Sequence, residues 1–366
     1  MAPAPKIDVS IPPLDPGAMR RATDRQARLT KPAGSLGVLE ELSIRLAGMT
    51  GRLDPALNDA VVFVLAADHG VAAEGVSAYP REVTGQMVLN FVRGGAAINV
   101  LARQAHARVI VADLGVDADL PSLPELRALK VRRGTASITR GPAMTTAEAA
   151  RAIEAGRVLV RESLALGLDL ALTGDMGIGN TTASAALICA LTGLDPVRVV
   201  GRGTGIDDAA LERKLAAVRL ALHVNAARIA QGPLETLAAV GGFEIAGLVG
   251  VMLEAACGRK PVIIDGYISG AAALAAATIT RGVNEYMIAS HQSHERGHAA
   301  VLEHLGLRPL LNLDLRLGEG TGAVLALPVV RASVRLLNEM ATFEEAGVAE
   351  REDAGDSGRD HNGSHN

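Results

Sequence analysis

Three glycine-rich turns carry the residue types that can bind and transform a small anionic ligand. The first, residues 174–182, reads Gly-Asp-Met-Gly-Ile-Gly-Asn-Thr-Thr and lies between an apolar run and a helical segment. Gly177 and Gly179 permit close approach of the backbone, while Asn180 and Thr181 supply capping and hydroxyl donors. The turn is neither a P-loop nor a complete dinucleotide-binding fingerprint. It suits a monophosphate, and a purely structural turn is an equally good reading of its composition.

A second glycine-rich turn precedes a lysine that could neutralise such an anion. Residues 201–208 read Gly-Arg-Gly-Thr-Gly-Ile-Asp-Asp and lead into a predicted helix that carries Lys214. An ammonium beside a phosphate would complete the anion cradle. Considered alone, Lys214 fits a solvated helix residue better.

The third turn, residues 317–322, places one carboxylate between glycines. Glu319 has no basic neighbour closer than Arg316, which makes it a candidate general base. Partial burial would raise its pKa toward the working pH. The alternative interpretation is that Glu319 simply caps the N-terminus of the helix that follows.

Tyr79 lies in the segment 75–86 and is one of three tyrosines in a chain without tryptophan. In such a chain it could offer a face to a flat aromatic ring. Ordinary packing explains a single tyrosine equally well.

The segment His294-Glu-Arg-Gly-His298 matches the pattern of a zinc protease. That chemistry needs a regular helix that presents both histidines on one face. Gly297 lies between them, and the segment directly follows a predicted strand. A hydrogen-bonded histidine cluster is therefore the better interpretation, and no metal is predicted.

Composition narrows the class of protein. The 366 residues are enough for one large or two ordinary domains, and the formal charge of −4 argues against a general nucleic-acid binder. Two cysteines form neither a disulfide framework nor a zinc cluster, which favours a reducing compartment. The sequence shows no signal-peptide pattern and no apolar stretch of the ~20 residues that span a membrane. We therefore expect a cytoplasmic protein that binds neither nucleic acid nor membrane.

Five short apolar runs predict the strands that must position these turns. They are apolar on both faces, which is typical of parallel strands covered by helices. The runs occupy residues 61–68, 108–113, 168–174, 261–266 and 286–290. Helical segments separate them, one starting with a capping box at Thr145 and Glu148 and another spanning 208–230. This order predicts an α/β fold with a doubly wound, mostly parallel sheet, in which ligands bind beyond the carboxyl ends of the strands.

Both ends of the chain read as helical. We predict that residues 1–58 and 329–348 together form a small helical domain beside a large α/β domain of residues 59–328. Residues 349–366 are almost entirely polar, and we expect them to form a disordered tail.

Together these segments resemble one enzyme family, the nicotinate-nucleotide–dimethylbenzimidazole phosphoribosyltransferases. The resemblance runs in order from about residue 20 to 345 and so covers nearly the whole chain. One glycine-rich turn would be weak support, whereas eight ordered blocks are strong. The blocks are residues 31–37, 68–71, 82–87, 174–182, 201–208, 265–266, 290–298 and 316–322.

The resemblance implies transfer of 5-phosphoribose from nicotinate mononucleotide to 5,6-dimethylbenzimidazole, with inversion at the anomeric carbon. The products would be α-ribazole 5′-phosphate and nicotinate, in the pathway that assembles cobalamin. Members of the family are typically homodimers with a Rossmann-like large domain and a small domain built from both chain ends. Because the donor is a monophosphate with a cationic pyridinium leaving group, neither a metal nor a cofactor is expected.

The resemblance also assigns roles to individual residues. Glu319 matches the catalytic glutamate, which takes the imidazole proton so that the other ring nitrogen attacks C1′. Asp175 stands where many members have Glu, and support of positive charge at C1′ is its expected role despite the shorter side chain. The base pocket would be formed by Ser77, Tyr79, Gln86, Met176 and Leu317. The phosphoribosyl group would contact Gly177, Gly179, Asn180, Thr181, Gly203 and Lys214.

Three alternatives remain open from the sequence. A related phosphoribosyltransferase or nucleosidase could use another acceptor, such as adenine, a phenol or water, since the residue at the position of Tyr79 varies within the family. A zinc hydrolase would use His294 and His298. A sensor would bind nicotinate mononucleotide without reacting, but an unpaired base such as Glu319 would have no use there.

Overall fold

The computed structural model of the chain describes residues 7–203 and 205–349. Its strands are β1 (Ala60–Ala67), β2 (Ala107–Gly115), β3 (Leu126–Ala128), β4 (Leu170–Met176), β5 (Val262–Ile264) and β6 (Met287–Ala289). These six strands of the described ranges form one sheet in the order β3-β2-β1-β4-β5-β6, and every neighbouring pair is parallel. The predicted α/β fold with a doubly wound, parallel sheet is confirmed.

Helices precede, separate and follow the strands. They are α1 (Pro16–Arg28), α2 (Val38–Thr50), α3 (Val83–Val92), α4 (Ala97–Gln104), α5 (Thr146–Ala165), α6 (Asn180–Thr192), α7 (Pro196–Val199), α8 (Asp208–Val224), α9 (Ala226–Ile229), α10 (Pro233–Val240), α11 (Phe243–Cys257), α12 (Tyr267–Ile279), α13 (His298–Leu305), α14 (Thr321–Glu339) and α15 (Phe343–Ala346). Short 3₁₀ helices cover Gly70–Glu74 and Val283–Tyr286. No helix in the described ranges is long and apolar enough to cross a membrane.

Strand β1 marks the place where a ligand site is expected. All eight of its residues are buried, so it forms an uninterrupted apolar run with helices on both faces. The chain builds one side of the sheet with β2 and β3 and the other side with β4, β5 and β6. The order of the strands therefore reverses between β1 and β4, and a crevice opens there at their carboxyl ends.

Helices α5 and α11 pack against each other through their backbones. A Cβ atom on Gly156 would clash with the carbonyl oxygen of Gly247, and one on Gly250 would clash with that of Ile153. Glycine at these two positions allows the helix axes to approach closely. This contact holds α11, which follows the Gly241-Gly242 pair, tightly against the sheet.

Several predicted elements differ in detail from those observed. The capping box of α5 is confirmed, because Thr145 Oγ1 accepts from the Glu148 amide at 3.1 Å and Glu148 Oε2 accepts from the Thr145 amide at 2.8 Å. The helix predicted over 208–230 is interrupted at Asn225, whose side-chain amide donates to the carbonyl of Ile138 at 2.9 Å. Strand β3 was not predicted, because its three residues form no apolar run.

Helices from both ends of the chain pack together. α1, α2 and α14 share a small apolar cluster formed by Ala18, Ala22, Ala47 and Leu337. Arg25 on α1 donates to the carbonyl oxygens of Leu337 and Met340 at 2.7 and 3.2 Å. Pro328 lies inside α14, so the predicted boundary at 328 falls within a continuous helix. The division into domains stays a prediction, and the predicted tail lies outside the described residues except for Ala349.

Candidate active site

The turn after β4 rests directly on the end of β1. A Cβ atom on Gly177 would clash with the carbonyl oxygen of Ala67, and Gly179 adopts a left-handed φ of 94° at the start of α6. The amide of Ile178 donates to Thr84 Oγ1 at 3.1 Å, which ties the turn to α3. The glycines predicted to bind phosphate therefore also satisfy a packing requirement.

Lys214 reaches this turn from the interior of α8. Its ammonium donates to Thr181 Oγ1 at 2.9 Å and to the carbonyl of Gly201 at 3.1 Å, and its side chain is buried. Burial lowers the pKa of Lys214 to about 8, although the charge of Glu295 opposes this effect. A Cβ atom on Gly203 would lie 3.4 Å from Nζ. The structure thus excludes the solvated reading of Lys214 and groups it with Thr181 and Gly203.

Glu319 occupies a left-handed turn at the start of α14. Its φ is 63°, and its neighbours Gly318 and Gly320 have φ values of 82° and 90°. The carboxylate is buried and accepts from the amide of Ile98, in the first turn of α4, at 3.4 Å. Burial raises the pKa of Glu319, whereas the hydrogen bond from Ile98 lowers it. The alternative in which Glu319 caps its own helix is wrong, since the N-cap residue of α14 is Gly320 and Asp265 accepts from the amides of Gly320 and Ala323.

Asp175 lies among other buried carboxylates. Burial raises its pKa well above the usual value, the charges of Asp265, Glu244 and Glu319 raise it further, and a hydrogen bond from Asn180 Nδ2 at 3.0 Å opposes the shift. Burial also raises the pKa of Asp265 to about 7. This end of the site concentrates acidic groups, so a cationic ligand would stabilise their ionised forms.

One cleft brings many of the predicted residues together. Its total empty volume, including the open mouth, is about 640 Å³. Of the predicted residues, the cleft is lined by Asp175, Met176, Gly177, Asn180, Thr181, Gly203 and Leu317. Glu319 follows its lining residue Gly318, and Lys214 reaches it through Thr181. The cleft therefore brings a buried lysine and a glycine-rich turn together with buried carboxylates, among them Asp175 and Glu295, whose charge acts on Lys214.

Comparison with known proteins identifies the family of the chain. Residues 11–348 match a family model described as phosphoribosyltransferase. A nicotinate-nucleotide–dimethylbenzimidazole phosphoribosyltransferase of Chloroflexus aggregans is 58% identical over 344 residues, which cover 94% of this chain and 97% of that protein. The chain belongs to the nicotinate-nucleotide–dimethylbenzimidazole phosphoribosyltransferase family.

Relatives from Thermus thermophilus extend the likeness to structure. A nicotinate-nucleotide–dimethylbenzimidazole phosphoribosyltransferase of this organism is 53% identical over 338 residues, which cover 92% of this chain and 99% of that protein. Its crystal structure superposes with a TM-score of 0.88 and covers 92% of this chain and all of that chain. The resemblance expected from the sequence is thereby confirmed.

Of the residues predicted to form the base pocket, Ser77, Tyr79 and Gln86 do not line the cleft. Ser77 Oγ accepts from the Tyr79 amide at 3.2 Å, and the Tyr79 side chain is 53% exposed. Gln86 is exposed on α3, two residues after Thr84, which contacts the glycine-rich turn. Leu317 lines the cleft but is 57% exposed. Their roles in a base pocket remain predictions.

The histidine segment does not have the geometry of a zinc protease. His294 is exposed and precedes α13, whereas His298 is the buried first residue of that helix. His298 Nδ1 accepts from the Ser293 amide at 2.9 Å, and burial lowers the pKa values of His291 and His298 to about 4 and about 3. Within the described ranges, no group of three or more potential ligands could hold a metal ion. The structure favours a hydrogen-bonded histidine cluster.

Some residues at the site were given no individual role from the sequence. Tyr267, His291, Ser293 and Glu295 also line the cleft. His69 and Glu244 are buried beside Gly177 and their side chains lie 2.6 Å apart. The pair joins residues 175 positions apart, so only the sheet order could have indicated it.

Proposed function

We propose that this chain transfers 5-phosphoribose from nicotinate mononucleotide to 5,6-dimethylbenzimidazole and releases nicotinate and α-ribazole 5′-phosphate, in the assembly of the cobalamin nucleotide. The observation that carries this proposal is the set of charged groups at the cleft. Lys214 bonds to Thr181 of the glycine-rich turn, which we call the phosphate end, and Asp175 lies among further buried carboxylates, which we call the acidic end. Nicotinate mononucleotide has matching groups, an anionic phosphate and a cationic pyridinium.

The phosphate end holds the donor. Helix α6 begins at Asn180, and its dipole favours negative charge at this end, beside Thr181. Lys214 adds a positive charge that is buried and therefore strongly felt. We assign backbone contacts with the phosphate to Gly177, Gly179 and Gly203, the last of which lies beside Thr181 and Lys214.

The acidic end stabilises the reacting centre. As the bond between C1′ and the pyridine nitrogen breaks, its electron pair moves to nicotinate and positive charge develops on the ribose. The positive charge on the ribose favours the ionised form of Asp175, and the Asp175 carboxylate in turn stabilises that charge. Asn180, which donates to Asp175, links this end of the cleft to the phosphate turn.

Glu319 activates the acceptor. Its carboxylate takes the proton from one imidazole nitrogen of dimethylbenzimidazole, and the other nitrogen forms the new bond to C1′ from the face opposite the leaving group. Inversion follows from this displacement. A buried carboxylate with a raised pKa is a stronger base than an exposed one.

The base pocket would be completed by a second copy of the chain. Tyr79 and Leu317 are 53% and 57% exposed in the single chain, although both are assigned to the base. A homodimer that covered this side would bury both side chains and exclude water from the ring. Sedimentation velocity should give twice the chain mass, and a fully active monomer would contradict this part of the proposal.

We place the enzyme in the cytoplasm. Cys189 and Cys257 are both free thiols, which fits a reducing compartment. Fractionation of cells that produce the protein would test this location.

The test of the reaction is a product assay. Purified protein is incubated with nicotinate mononucleotide and dimethylbenzimidazole, benzimidazole, adenine, p-cresol or no base. Nicotinate release that requires dimethylbenzimidazole, together with an α-linked ribotide, is the expected result. Release with adenine or p-cresol but without dimethylbenzimidazole would contradict the proposed acceptor, and failure of every mixture to release nicotinate would contradict the transferase function.

A further inference from the structure

Asp265 is fixed at the carboxyl end of β5 by its two neighbouring strands. Its amide donates to Thr173 Oγ1 on β4 at 3.0 Å, and its carbonyl accepts from Ser290 Oγ, which follows β6, at 3.2 Å. The residue is 1% exposed. The backbone of Asp265 is therefore held firmly at the carboxyl end of β5, between the two neighbouring strands.

Both carboxylate oxygens of Asp265 hold the start of α14. Oδ2 accepts from the Gly320 amide at 3.2 Å, and Oδ1 accepts from the Ala323 amide at 3.1 Å. The first amides of a helix have no partner within the helix, and a negative charge is favourable there. A residue 55 positions away thus performs the capping that a local residue usually provides.

The capped segment contains the strained residue of the site. Gly318, Glu319 and Gly320 are consecutive and all have left-handed φ values. Glutamate rarely adopts this conformation, and such strain persists only where the surroundings impose it. Asp265 binds the amide that immediately follows Glu319, so its hydrogen bond restrains the peptide on the C-terminal side of the strained residue.

We propose that Asp265 is the positioning residue for Glu319. Its carboxylate anchors Gly320 and the start of α14 to the carboxyl end of β5, and this anchor fixes the backbone of Glu319, and with it the side chain, next to the cleft-lining Gly318. The inference rests on the proposed function, in which Glu319 is the general base. Asp265 touches neither substrate in this assignment and acts only through Glu319.

A double-mutant cycle tests this role. Asp265→Asn keeps the size of the side chain but replaces one of the two oxygens that accept from backbone amides with an amide nitrogen, which can only donate. We expect kcat to fall about 10- to 100-fold while KM for nicotinate mononucleotide changes by less than about threefold. The double variant with Glu319→Gln should be no slower than Glu319→Gln alone, because a base that is already absent cannot be misplaced.

Several results would overturn the proposal. Losses of kcat that multiply in the double variant would show that Asp265 acts independently of Glu319, and an unchanged kcat in Asp265→Asn would show no positioning role. A raised KM with normal kcat would place Asp265 in binding instead. If the wild-type protein forms no ribotide, the proposed function fails and this inference fails with it. If the wild type is active but the losses of kcat multiply in the double variant, only the positioning role is refuted.

Two further variants separate the positioning of Glu319 from a general effect on folding. Thr173→Val removes the hydroxyl that accepts from the Asp265 amide, and it should also lower kcat. In the Glu319→Gln background, Thr173→Val should cause no further loss of kcat. Asp15→Asn alters a matched cap that accepts from the amides of Gly17 and Ala18 on α1. It should change the melting temperature without changing kcat. If Asp265→Asn does not fold, the Thr173→Val cycle decides, and multiplying losses there overturn the proposal.

Discussion

A Cβ atom on Gly174 would lie 2.5 Å from the carbonyl oxygen of Glu319. Gly174 belongs to β4 and pairs with Val64 of β1, so the turn that carries Glu319 lies directly on the backbone of the central strands. The position of Glu319, the proposed general base, is thus set by contact with the sheet on one side and by Asp265 on the other. A side chain at position 174 would have to push the turn away.

Gly174→Ala should therefore impair catalysis through Glu319. Displacement of a catalytic group by about 1 Å can cost about 10²-fold in rate, and we expect a loss of kcat of that order with KM for nicotinate mononucleotide nearly unchanged. Steady-state kinetics checks this. Gly258→Ala at the end of α11 is the matched control, because its Cβ would meet the flexible side chain of Leu164 at 3.2 Å and would make an ordinary contact with the carbonyl oxygen of Ala255 at 3.5 Å. Equal activity of the two variants would contradict the role given to this contact.

Removing the base itself should have a larger effect. Glu319→Gln preserves shape and the hydrogen bond from Ile98, but it cannot accept the imidazole proton. We expect kcat to fall by about 10²–10⁴ while both substrates still bind. Isothermal titration with nicotinate mononucleotide and single-turnover rates would separate binding from chemistry. Glu303→Gln on the exposed face of α13 is the control, and normal turnover by Glu319→Gln would exclude the assigned role.

Much of the fold could be predicted because buried parallel strands form continuous apolar runs. Five of the six strands of the described ranges follow that rule, whereas β3 spans three residues with the partly exposed Arg127 at its centre. The interruption between α8 and α9 depends on a hydrogen bond from Asn225 to Ile138, which is 87 residues away. A tertiary contact of this kind leaves no local pattern.

The sequence could indicate candidate site residues where the pattern is local. A carboxylate flanked by glycines indicated Glu319, and a turn of glycines with Asn180 and Thr181 indicated an anion site. The partners that tune these groups are distant in sequence: Asp265 lies 55 residues from Gly320, and Lys214 lies 33 residues from Thr181. Their proximity follows from the order of the strands, which the apolar runs do not specify.

Asp175→Asn should change how stability depends on pH. In the unfolded chain the Asp175 carboxyl has a pKa near 3.8, and burial raises its pKa in the folded protein well above this value. Between these two pKa values the folded state therefore binds more protons than the unfolded state. The stabilising contribution of Asp175 is complete below the unfolded pKa and is lost as pH rises toward the folded pKa. Asparagine does not titrate. The melting temperature of the variant relative to wild type should therefore rise from pH 5 to pH 8, and a constant difference would contradict a neutral, buried Asp175.

The same variant also tests the chemical role of Asp175. Asparagine can replace a neutral carboxyl as a hydrogen-bond donor, but it cannot become anionic when positive charge develops at C1′. If the charge matters, kcat should fall by about 10²-fold even though the fold is retained. Full activity of Asp175→Asn would limit the residue to hydrogen bonding.

Lys214 should make binding of the donor sensitive to alkaline pH. Burial lowers its pKa to about 8, so the ammonium loses its proton across the range from pH 7 to pH 9.5, where an exposed lysine stays charged. The phosphate group is already ionised there and needs the positive charge, so KM for nicotinate mononucleotide should rise with pH through this range. Lys214→Ala should raise KM at pH 7 and remove most of the pH dependence, with a smaller effect on kcat.

Lys260→Ala is the matched control for this prediction. Lys260 lies 3.9 Å from Asp169 at the start of β4, away from the cleft, and it is partly exposed. Its removal should leave the pH profile of KM unchanged. A KM that is constant from pH 7 to pH 9.5 in the wild type, or a Lys214→Ala variant that loses kcat alone, would show that the ammonium does not bind the phosphate. Either result would move Lys214 from the donor site to a purely structural bond with Thr181.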